Sequence, residues 1–203
     1  MPVELLSTPT LVRSSVGGFV QMAMILVDIT GVSLFLVHEG RGSSAIAGLV
    51  ALAFPAVMVV ASTTAGAAVA RIGGRRVFWV GLTLLGAGQG GIALALEPGS
   101  GVTVLLIVSL GIAGAGAALV QTSSASGATR SAHRDRTAAV GIFNLVRFSG
   151  TAAGAAWLAI AFSAGASYRV LYLSAAAVVF AVLVLTAVLG RHPRVQPPPM
   201  SLT

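Results

Sequence analysis

The sequence predicts an all-α integral membrane protein in which six transmembrane helices form one bundle and both termini face the cytoplasm. Three observations carry this. Of 203 residues, 56% are hydrophobic and only 8% are charged, whereas a soluble domain clothes its surface with about a quarter Asp, Glu, Lys and Arg. Apolar runs long enough to span about 30 Å of hydrocarbon recur along the whole chain. Finally, the basic residues collect in alternate connections, as the positive-inside rule requires of helices that cross back and forth.

The runs are, in order, Val16 to Val37, Ser44 to Ala70, Val77 to Leu96, Val102 to Gln121, Ala138 to Ala164 and Val170 to Leu189. They are continuous and lack period-2 alternation, which argues for helices over a β-barrel. The first run is too long for a signal-peptide core, and the segment before it carries Glu4 and a single Arg13, so it reads as a retained span rather than a cleaved leader. Within the second, Pro55 removes a backbone donor and is expected to bend the helix, as a packing kink or a gating hinge. The connections between runs are short except for Thr122 to Thr137, so neighbouring helices are antiparallel. The division is a cytoplasmic segment over 1–15, the bundle over 16–189 and a cytoplasmic tail over 190–203. Pro193, Pro197, Pro198 and Pro199 exclude a helix from that tail; it reads as disordered, with a proline-rich docking ligand as the alternative.

Charge fixes the orientation. The N-terminus, the second and fourth connections and the tail hold Arg13, Arg71, Arg75, Arg76, Arg130, Arg134, Arg136, Arg191 and Arg194, against Arg41 and Arg169 on the other side. The net charge of +7 is therefore a topology signal, and the basic pI carries no implication of nucleic-acid binding. Absent cysteine excludes a disulfide frame, a thiolate metal site and a Cys nucleophile. His38, His133 and His192 lie in separate connections and the tail, far apart for a metal cluster. No cofactor is expected and no enzyme signature emerges. The glycine-rich stretches 86–91 and 111–116 sit inside apolar helices with no strand ahead, so they serve close helix packing rather than phosphate binding.

Two charges fall within the spans. Asp28 lies about 18 Å into the first and Arg147 about 14 Å into the fifth, at 1.5 Å per residue. Each costs roughly 2.5–3.5 kcal/mol to insert alone, so each requires a partner or a cavity. On the helical wheel Gln21 and Asp28 share a face, as do Asn144, Arg147, Thr151 and Gly154. Two readings stand for these polar stripes: a substrate or proton pathway, and an interhelical seam that locks the bundle.

The stretch Gly66-Ala67-Ala68-Val69-Ala70-Arg71-Ile72-Gly73-Gly74-Arg75-Arg76, between the second and third spans, resembles the G-x-x-x-D-R-x-G-R-R loop of the major facilitator superfamily. Gly66, Arg71, Gly73 and Arg75 match in register; Ala70 stands where the family has Asp, and Arg76 follows a basic position taken by Gly74. Gly141 to Gly154 is similar to the G-x-x-N-x-x-R-x-x-G-x-x-x-G helix of multidrug efflux members, above all the 14-helix drug:proton antiporters. Gly150 and Gly154 are present there without the proline of the antiporter motif. Gly40 to Leu49 with Phe54-Pro55 resembles the outer turn and the next helix of the same half.

The resemblance implies the C-terminal six-helix half of such a transporter, in the inner cell membrane, exporting small drug-like molecules by coupling to the proton gradient. It implies a second six-helix bundle as partner, from another copy or a separate polypeptide, because family members rock two bundles about a midplane site. Asp28 and Gln21 would line the pathway, Asn144 and Arg147 would brace it or touch substrate, and Arg71 to Arg76 would form the cytoplasmic hinge. A non-transporting membrane scaffold or degenerate remnant is the rival reading.

Overall fold

In the computed structural model, the residues described are 9–39, 42–96, 102–130 and 136–189. They form α1 (Pro9–His38), α2 (Ser44–Ala51), α3 (Ala53–Ile72), α4 (Gly74–Ala95), α5 (Val102–Arg130), α6 (Arg136–Ser163) and α7 (Tyr168–Leu189). No strand occurs among them. α2 and α3 together make one span, Ser44–Ile72, so the helices supply six segments long and apolar enough to cross a membrane. The 190–203 tail, Gly40, Arg41, His133 and most of the 1–15 segment lie outside the described residues.

Local chemistry explains the breaks. Pro55 has no N–H for the carbonyl of Ala51, and the α2–α3 interruption falls at Leu52, between that carbonyl and the proline. The ladder resumes at once, with Leu52 N donating to Gly48 O at 3.0 Å and Ala56 N to Leu52 O at 3.0 Å. A single residue, Gly73, separates α3 from α4. Its φ of 86° and ψ of 144° are open to glycine without strain. Its N–H closes α3 on Val69 O at 3.1 Å while its carbonyl accepts Val77 N at 3.2 Å. α6 ends in a Schellman motif: Gly165 N donates to Phe162 O at 3.1 Å and Ala166 N to Ala161 O at 2.9 Å, with Gly165 at φ 68°.

Several helices outrun their apolar segments. α1 starts at Pro9, a residue suited to a first helical position, so 9–15 is helical and continuous with the first span. α5 continues to Arg130, past the expected end at Gln121. Its polar last turns are held by packing: Leu11, Ala128, Ala139 and Phe143 form a small apolar cluster joining α1, α5 and α6. A Cβ on Gly127 would collide with the Ser14 side chain. Hydropathy marks where lipid begins, and such contacts carry the helix beyond it.

The main core joins Met24 and Val27 of α1, Leu82 and Leu85 of α4, Leu106 and Leu110 of α5, and Tyr172 and Val179 of α7. α6 runs parallel to α1: Gly18 meets Arg147, Phe19 meets Gly150 and Ala23 meets Gly154. A Cβ on Gly154 would stand 2.7 Å from the Ala23 carbonyl, and one on Gly150 would collide with that of Phe19, so small residues set the α1–α6 approach. Burial is uneven. More than half of the apolar window of α1 and of α4 is buried (56% each), against 22% for α2–α3 and 17% for α6. Val59, Val60, Leu145 and Ile160 are accordingly exposed, leaving α3 and α6 with wide uncovered apolar faces.

Candidate functional site

The polar side chains of the spans meet inside the bundle, on the sides of α1 that face α4, α5 and α7. Asp28 has no exposed surface. The Nε2 of Gln89, on α4 and equally buried, donates to both of its carboxylate oxygens, at 2.9 and 2.8 Å. Close by, the hydroxyl of buried Tyr172 on α7 donates to the carbonyl of Val27 at 3.1 Å. The carboxyl of Asp28 is thus gripped by one neutral amide in an apolar surround, an arrangement that keeps it away from water and leaves it without a described cationic partner.

A second pair lies two turns toward the α1 N-terminus. Gln21, also without exposed surface, donates through Nε2 to Oε1 of Gln121 on α5 at 3.2 Å. Gln21 Oε1, Gln89 Oε1 and Ser124 Oγ are buried with no hydrogen-bond partner. Buried polar atoms are almost always paired, so these orphans leave spare hydrogen-bonding capacity at Gln89 beside Asp28, at Gln21, and at Ser124 on α5.

The other sequence-derived candidates are elsewhere. Asn144 and Arg147 are half-buried on α6. The Arg147 stem packs on Gly18 and its guanidinium lies over the ring of Phe148, 5.4 Å from the centroid. Because α1 and α6 run parallel and Arg147 is level with Gly18, it sits ten residues, about 15 Å, from Asp28 along the axis. The structure does not bring the two intramembrane charges together. Nor does it turn Asp28 and Gln21 outward: both point into the bundle, not toward the open faces of α3 and α6. Of the loop residues, Gly66, Arg71, Gly73, Arg75 and Arg76 are exposed around the α3–α4 junction, with Arg75 stacked 4.4 Å from the centroid of Trp79.

Sequence reasoning missed Gln89, Gln121 and Tyr172. For Gln89 a signal existed. It is twelve residues into an apolar run that starts on the same side as the first, so it lies at the same depth, about 18 Å, as Asp28. Its glycine neighbours masked it. Tyr172, in a run of Leu, Val and Ala, offered no such cue.

The Major Facilitator Superfamily model matches residues 15–201, from the start of the first span into the tail. No curated protein matches the chain. A chain whose described residues are helical and supply six apolar segments of membrane length, matched over nearly its whole length by that model, is a multi-pass membrane protein, and it belongs to the major facilitator superfamily, a family of membrane transporters.

Proposed function

We propose that the chain is one six-helix half of a multidrug-efflux-type facilitator of the inner cell membrane, with both termini cytoplasmic, exporting small drug-like molecules in exchange for protons. The observation that carries the reading is the fully buried Asp28, held mid-membrane by a single neutral amide. A carboxyl can take up and release a proton, and intramembrane acids of this kind mark proton relays. Asp28 then serves the proton and does not touch substrate, while Gln21 and Gln121 extend the polar interior toward the α1 N-terminal end. Asn144 and Arg147, half-buried on open-faced α6, contact substrate or a second bundle in this reading. The exposed arginines around Gly73 form the hinge.

The scaffold reading draws on a specific observation as well: Asp28–Gln89 and Gln21–Gln121 close within one bundle, as a structural seam would. Asp28→Asn separates the two readings. The asparagine keeps a hydrogen-bonding partner for Gln89 but cannot carry a proton. In inverted membrane vesicles energised with a proton gradient, extrusion-type uptake of ethidium falls to background for the variant at equal expression if Asp28 couples transport. Unchanged uptake rejects the coupling role.

A further inference from the structure

At the end of the bundle that carries residue 9 and the α3–α4 junction, three helices each bring an arginine to the opening turns of α4. Arg13 belongs to the opening turns of α1, Arg75 to the first turn of α4, and Arg130 is the last residue of α5. Arg13 is half-buried there, within electrostatic range of Arg75 and Arg130. Arg130 reaches across to α4: its Nη2 would lie 3.1 Å from a Cβ on Gly74, against the helix N-terminus. That terminus has no side-chain cap and no acid in its first turn. Positive charge thus gathers at the positive end of a helix dipole, an arrangement that a negative charge would relieve.

The described carboxylates lie elsewhere. Asp28 is fifteen residues from Arg13, about 22 Å along α1, and Glu39 follows the far end of the same helix. Two of the arginines rest on aromatic faces, Arg13 on Phe78 at 5.8 Å and Arg75 on Trp79 at 4.4 Å. Stacking of this kind fixes the plane of a guanidinium and leaves its in-plane N–H donors available.

We propose that Arg13, Arg75 and Arg130 clamp the phosphate of an anionic phospholipid headgroup. The guanidinium fork matches two oxygens of a phosphodiester, and three forks from three helices surround it. The lipid is favoured over free phosphate because the arginines emerge from membrane-spanning helices whose adjoining residues Val12 and Val80 are exposed, leaving aliphatic surface for acyl chains. The bound lipid ties the N-terminal end of α1 to the α4–α5 pair.

The test is native mass spectrometry of the purified chain released from mixed phosphatidylglycerol and phosphatidylcholine nanodiscs. The wild-type chain retains phosphatidylglycerol over phosphatidylcholine by about tenfold or more, each arginine near the surface adding to the attraction. Arg13→Gln with Arg75→Gln and Arg130→Gln abolishes the preference, whereas Arg71→Gln with Arg76→Gln, which removes charge from the same end outside the cluster, leaves most of it. Arg130→Gln alone, at the exposed end of α5, carries the comparison if the triple variant does not fold, and loses at least half of the preference. Equal retention of the two lipids by the wild type overturns the proposal. So does an equal loss in the Arg71/Arg76 variant, which indicates diffuse surface charge, and so does displacement of phosphatidylglycerol by millimolar inorganic phosphate, which indicates a free-anion site.

Discussion

Asp28 depends on a single side chain for its hydrogen bonds, and that dependence is measurable. Replacing Gln89 by Leu leaves a buried carboxyl unpartnered, a change that costs about 1–3 kcal/mol for a polar group and more for a charged one. Gln89→Leu therefore lowers the thermal unfolding midpoint in detergent, while Asp28→Leu combined with Gln89→Leu restores most of it, because no orphan remains. If Gln89→Leu unfolds at the wild-type temperature, the hydrogen bonds of Asp28 carry no weight. Residues also differ in how legible they were. Asp28 stands out because a charge in an apolar run announces itself. Its partner was readable only by comparing depths across two runs, and the tyrosine beside it was not readable at all, since an aromatic ring in a lipid-facing helix and one in a bundle core look alike in sequence. The separation of Arg147 from Asp28 depended on the register in which α6 docks on α1, with Gly150 at Phe19 and Gly154 at Ala23, a long-range fact that neither helix encodes alone.

Helices were more visible than their ends. The six apolar runs correspond to the six spans because hydrocarbon thickness sets a minimum length. The extra turns of α1 and α5 arise where Leu11, Ala128, Ala139 and Phe143 pack beyond the apolar limit, and composition carries no trace of that. At this scale glycines of one type divide into two roles. Gly154 lies against the backbone of Ala23, whereas a Cβ on Gly66, on the open side of α3, meets nothing within 4 Å. Gly154→Leu is thus expected to force α6 off α1 and lower the unfolding temperature by several degrees, and Gly66→Leu to leave it unchanged for the isolated bundle. Melting curves of the two purified variants check this; equal destabilisation contradicts the assigned packing. If transport nonetheless fails in Gly66→Leu, the open face of α3 is in use by a partner.

For the whole molecule, the charge distribution and the fold pose one question each. The absence of cysteine makes the chain a ready background for single-cysteine labelling. With both termini cytoplasmic, a cysteine at Arg76 reacts with a membrane-impermeant maleimide only from the inner side, and one at Gly165 only from the outer; the reverse pattern inverts the proposed topology. The fold leaves α3 and α6 largely uncovered, and in the proposed transporter a second six-helix bundle covers them. The most direct measurement is crosslinking in membranes from a single cysteine at Val60, on the exposed face of α3, with a short photoactivatable maleimide. A covalent adduct with a second copy, or with a distinct polypeptide of several spans, is the predicted product. Crosslinks to lipid alone contradict the claim that this chain is one half of a two-bundle transporter.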